Sequence, residues 1–205
     1  MAGCCNGGCE LDALRERQRG TLRIVLAINA VMFLVVVAAA IHAGSASLMS
    51  DSLDNLGDAL TYGLSLYVVA RGARAKARVA LFKGALIGLA ALGVAAQIGY
   101  KLLHPAVPLF ETMGVFSLLS LAANGACLYL LWRHRMDDVN MSSVWECSRN
   151  DIAGNIAVFV AAFGVWATNS AWPDLLVAAG LLLVLLRSSW RVISSARAEL
   201  RTVGG

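Results

Sequence analysis

The chain has 205 residues, of which 59% are hydrophobic and 15% charged, with a mean hydropathy of +0.69. A soluble domain carries about 45–50% apolar and about 25% charged residues, so this composition excludes an ordinary water-soluble fold. The medium around most of this chain is lipid. The net charge of +4 matters less than the placement of the basic residues.

Residues 1–20 read as a flexible, Cys-bearing tail, since Met1 to Arg19 is polar and lacks the basic-then-apolar order of a secretory signal. Five cysteines, three of them packed as Cys4, Cys5 and Cys9, do not build an extracellular disulfide framework. Free thiols fit a reducing cytoplasmic face.

A spanning helix needs about 20 mostly apolar residues. Six stretches qualify: Leu22 to Ala43, Ala46 to Ala70, Val79 to Leu103, Thr112 to Trp132, Met141 to Thr168, and Trp172 to Ile193. Gly44 marks the turn between the first two. His104-Pro105 through Pro108 separates the third from the fourth, and Asn169-Ser170 through Pro173 the fifth from the sixth. Such short connections pair neighbouring helices antiparallel. The expected layout is an all-α integral membrane bundle of six transmembrane helices over residues 21–198, followed by a short cytoplasmic tail, 199–205.

Basic residues set the orientation. Arg15, Arg17, Arg19 and Arg23 precede the first span. Arg71, Arg74, Lys76, Arg78 and Lys83 lie between the second and third, Arg133 and Arg135 between the fourth and fifth, and Arg187, Arg191, Arg197 and Arg201 near the end. A six-span layout puts all of these on one side, leaving Lys101 on the other and Arg149 inside the fifth span. Both termini are therefore expected in the cytoplasm, with the protein in the inner or plasma membrane.

The second span contains Asp51, Asp54 and Asp58. A carboxylate facing lipid at the bilayer centre costs a few kcal/mol. Steps of three and four residues place the three on one helical face, which must look into the bundle or a water-filled cavity; the alternative is that the helix starts later and these are loop residues. The fifth span carries Cys147, Asp151 and Asn155 at four-residue steps, again on one face. Counted at helical rise, Asp151 lies about 15 Å in from Met141, and Asp54 and Asp58 about 12–20 Å in from the opposite side. The two faces meet near the midplane. Carboxylate oxygens and one sulfur suit a tetrahedral zinc-type ion, whereas Mg²⁺ wants six oxygens and gains nothing from sulfur. Taken alone, Cys147 would be an ordinary small buried hydrophobe; its place one turn before Asp151 favours ligation.

The run Gly44-Ser45-x-Ser47-Leu48-x-x-Asp51-Ser52-Leu53-Asp54-Asn55-Leu56-Gly57-Asp58, with Asp151 and Asn155 in the fifth span, resembles the cation diffusion facilitator, or cation efflux, family. The likeness covers essentially the whole six-helix region. It implies a metal site of Asp54, Asp58, Cys147 and Asp151, in a homodimeric antiporter that exports a divalent metal from the cytoplasm in exchange for protons. Cys147 stands where zinc-transporting members usually have His, which leans the expected cargo toward softer Cd²⁺ beside Zn²⁺. The ferredoxin-like cytoplasmic domain that most members add after helix six has no counterpart in these 205 residues, so a short form is expected.

The remaining signals are weaker. Cys4, Cys5 and Cys9 could capture thiophilic metal or be incidental thiols on a mobile tail. His42, His104 and His134 fall near span ends and read as interfacial. Arg149 could pair with Glu146 or snorkel toward the cytoplasm, and Asp137-Asp138 reads as a solvated loop. Gly84-x-x-x-Gly88 and Gly88-x-x-x-x-Gly93 permit close helix packing. No nucleophile–base pair and no phosphate loop suggests an enzyme, and nothing suggests nucleic-acid binding or a resident cofactor. A membrane metal sensor or accessory protein that binds without transport is the second reading.

Overall fold

The computed structural model describes the backbone of residues 6–68, 73–133 and 139–204, with side chains at 19–64, 66, 78, 80–82, 84–133 and 151–201. Among these residues there are six helices: α1 (Asn6–Ala43), α2 (Ala46–Val68), α3 (Ala73–Leu103), α4 (Phe110–Trp132), α5 (Val139–Thr168) and α6 (Trp172–Gly204). The predicted spans fall inside them, apart from the end of the second, where residues 69–70 are not described. Two ends differ. α1 begins at Asn6, within the segment expected to be a tail, because Leu, Arg, Glu, Gln and Ala between Glu10 and Arg19 are good helix formers. α6 runs on to Gly204, since no Pro or early Gly stops it after Ile193.

Among the described residues, five segments are long and apolar enough to cross a membrane: Arg19–Ala43, Ala80–Leu103, Phe110–Trp132, Asp151–Thr168 and Trp172–Arg201. α2 has the length but carries Asp51, Asp54 and Asp58. Its position compensates for that. α2 packs against each of the other five helices, so its acidic face meets protein rather than lipid.

The α1–α2 turn shows how tightly the local sequence sets the geometry. Gly44 adopts φ +59°, a left-handed conformation that costs a residue with a Cβ roughly 1–2 kcal/mol. Ser45 N–H then donates to Ala40 O at 3.0 Å and Gly44 N–H to Ile41 O at 3.3 Å, closing α1 with a Schellman pair. Ser45 begins α2 as its N-cap, accepting from Leu48 N–H at 3.1 Å.

Bundle topology follows from contacts at that turn. Leu109 N–H donates to Ala43 O at 3.0 Å, and Lys101 Nζ reaches both Gly44 O and Asp174. The end of α1, the start of α2, the end of α3 and the starts of α4 and α6 therefore share one face, here the short-turn end. The opposite end carries the start of α1 and the end of α6.

The bundle buries polar residues among an apolar core and exposes large apolar side chains on its outer surface. On α4 the buried residues Met113, Ser117, Ser120, Asn124, Cys127 and Leu131 alternate at steps of four and three, while Val115, Leu118, Leu119, Tyr129 and Trp132 are exposed. α3 and α6 lie close because Gly84 and Gly88 leave room: Ser189 Oγ donates to Gly84 O at 2.8 Å, and a Cβ on Gly84 would stand 2.6 Å from Ile193. Gly93 has nothing within 4 Å, so only the first of the two expected small-residue pairs serves this contact.

Candidate metal centre

α2 and α5 run antiparallel, and each carries its acidic face toward the other. At 1.5 Å per residue, Asp58 lies about 18 Å along α2 from Ala46 and Asp151 about 18 Å along α5 from Val139. The depths match, and the two carboxyl groups are hydrogen-bonding neighbours. Two carboxyls at such range are held by a shared proton or by a cation between them. Tyr62, one turn along α2, donates its hydroxyl to Asp58 Oδ2 at 2.9 Å and fixes that side chain. Tyr62 itself is wholly buried among Leu22, Val25, Cys127 and Leu131.

Asp54 stands one turn away toward the short-turn end. Its charge is felt by Asp151, and it in turn feels Asp51 and Asp58. Asp54, Asp58 and Asp151 are half-buried as residues, while Asp151 Oδ2 is itself buried. Asp51, by contrast, is 3% exposed and accepts from Ser120 Oγ on α4 at 2.9 Å. The helical placement expected for the acids of α2 is therefore found, and the alternative of a solvated loop is not. Asp58 and Asp151 come together and Asp54 lies beside them. Among the described residues, no three His, Cys, Asp or Glu side chains close on one point as ligands. The fourth expected ligand, Cys147, lies on the backbone of α5, but its side chain is outside the described residues. The side chains of Cys9, Glu146 and Arg149 are likewise outside them, as are Cys4, Cys5, His134, Asp137 and Asp138.

His42 and His104 are exposed at the short-turn end, as expected of interfacial residues; His104 stacks on Tyr100 with ring centroids 4.5 Å apart. Lys101 departs from the simple picture of a lone basic residue at that end. It is buried and pairs with Asp174 Oδ2 at 3.1 Å. Asp174 also accepts from Ser45 Oγ and Ser47 Oγ, both at 2.7 Å, and from the backbone N–H of Ala46 at 2.9 Å and of Ser47 at 3.0 Å. A carboxylate from the start of α6 thus caps the first turn of α2 and complements its dipole. Sequence reasoning passed over Asp174, Tyr62 and Ser120. The signal for Asp174 was a solitary acid and a solitary base at the same end of two apolar runs.

A further chemical feature is the set of buried polar atoms without a partner. Among the described residues these are Asn55 Oδ1, Asp151 Oδ2, Asn155 Nδ2 and Asn155 Oδ1. All belong to the facing stretches of α2 and α5.

No curated protein matches the chain. Residues 22–201 match the cation efflux transmembrane domain, a span that includes every helix contributing to this centre. The chain therefore belongs to the cation efflux family.

Proposed function

We propose that this protein exports a divalent metal cation, Zn²⁺ and/or Cd²⁺, from the cytoplasm across the inner or plasma membrane in exchange for protons. The ion is held by Asp54, Asp58, Cys147 and Asp151. The observation that carries the reading is the Asp58–Asp151 contact deep in the bundle. A carboxyl pair that binds either a proton or a cation is the chemical core of an exchanger, because the two substrates compete for the same oxygens. Metal arriving from the cytoplasm displaces protons. Once α2 and α5 open to the opposite side, protons displace the metal. The bundle works by alternating access as a homodimer.

Charge distribution supports the orientation. Arg19, Arg23, Arg78, Arg133, Arg187, Arg191, Arg197 and Arg201 are exposed and lie toward the end where α1 starts and α6 finishes. By the positive-inside rule that end faces the cytoplasm, and along α5 from that end Cys147 precedes Asp151. Metal entering from the cytoplasm therefore meets the thiol-bearing turn first and the Asp54 turn last.

The test is metal uptake into proteoliposomes by the purified chain. Asp58→Asn and Asp151→Asn remove a charge while keeping shape, and each should abolish Zn²⁺ and Cd²⁺ flux and the accompanying proton movement. Wild-type flux in both variants would remove this site. Metal binding without flux by the wild-type protein would favour a sensor or accessory role instead.

A further inference from the structure

Burying a polar atom with no partner costs roughly 1–3 kcal/mol, and native proteins leave few such atoms. Here all four of those found among the described residues sit on α2 and α5. Asn155 is the extreme case, with no exposure and neither amide atom satisfied. It lies one turn from Asp151, on the α5 face whose neighbours on α2 are Asp51, Asp54 and Asp58. Helical counting gives its level. From the Asp58–Asp151 contact toward the short-turn end, Asn55 is three residues along α2 and Asn155 four along α5. That places them about 4.5 Å and about 6 Å beyond the contact. Asn55 is 3% exposed, its Nδ2 donates to Asp51 O at 3.0 Å, and its Oδ1 is one of the four orphans.

Resting on the proposed metal export, we propose that Asn155 and Asn55 supply neutral amide oxygens to the transported cation at a second position, one helical turn beyond the Asp58–Asp151 pair on the exit side. The uncharged donors suit a release position. They replace part of the ion's hydration shell without the full attraction of carboxylates, so the ion steps off the acidic pair without being trapped. Asp54, four residues from Asp58 and so about 6 Å toward the short-turn end, stands at the level of the second position, and Asp51 with its Ser120 partner bounds that position from the short-turn side.

Three measurements on the full chain in detergent and liposomes test this, with Zn²⁺ as the probe: melting temperature in chelator, Zn²⁺ affinity, and flux. Asn155→Leu removes the orphaned atoms at similar volume. Its metal-free melting temperature should hold or rise, while Zn²⁺ affinity falls by roughly tenfold or more and the Zn²⁺-induced melting shift shrinks. Asn155→Asp should bind Zn²⁺ more tightly than wild type and transport it more slowly. If Asn155→Leu fails to fold, Asn155→Ser and Asn55→Leu provide the same readings. A metal-free protein destabilised by Asn155→Leu, with wild-type Zn²⁺ affinity, would overturn the proposal and make Asn155 a packing group. Asp58→Asn, measured in parallel, separates the two readings: loss of binding there with an unchanged Asn155→Leu defeats only the second position. Retained binding and flux in Asp58→Asn defeats the export site and the second position with it.

Discussion

Asp174→Ala perturbs the structure in a way whose size can be worked out from the geometry. The substitution removes an acceptor serving two serine hydroxyls, two backbone N–H groups at the start of α2, and the Lys101 ammonium. The side chains of Lys101 and Asp174 are 9% and 0% exposed, so water cannot replace the lost partner. Breaking a buried ion pair by deleting one member costs about 3–5 kcal/mol, because the other charge is left uncompensated. Loss of the helix cap adds about 1 kcal/mol. Part of this overlaps, and the net effect should lower the melting temperature by on the order of 10 °C. Thermal unfolding of the full chain in detergent, followed by tryptophan fluorescence, reads it directly. The double variant Lys101→Met with Asp174→Leu gives the stricter check. With no charge stranded, it should recover most of the loss, leaving roughly the cap term. An unchanged melting temperature in Asp174→Ala, or a double variant as unstable as the sum of the singles, would refute the assignment of Asp174 as the clasp joining α2, α3 and α6.

Two further expectations follow from packing and from donor chemistry. Gly84→Leu forces a side chain into Ile193 Cγ1 and Val192 Cγ1, which stand only 2.6 Å and 3.3 Å from where its Cβ would lie; overpacking of this kind costs about 1–3 kcal/mol. A melting temperature equal to wild type would show that α3 and α6 separate freely. Cys147→His replaces a soft sulfur with a borderline nitrogen, so the Zn²⁺/Cd²⁺ flux ratio in liposomes should rise. An unchanged ratio removes Cys147 from the proposed ligand set, leaving the carboxylates to hold the ion.

The helices and their order were legible in the sequence because their cause is local: runs of apolar residues of membrane length, broken by Gly44, Pro105, Pro108 and Pro173. The inward turn of the α2 acids was legible as well, since lipid penalises any other orientation of Asp54 and Asp58. Even the common depth of Asp58 and Asp151 could be counted along the chain. Tertiary structure alone decided which groups meet. The rotation of each helix about its axis is set by side-chain packing against neighbours distant in sequence. No local pattern states that Asp58 rather than Asp54 touches Asp151, that Tyr62 fixes it, or that Ser120 holds Asp51. The clasp of Asp174 on Ser45 and Ser47 is the clearest instance: partners more than a hundred residues apart satisfy the first turn of α2. The orphaned amide of Asn155 is the converse, because whether a buried polar atom lacks a partner depends on every element packed around it.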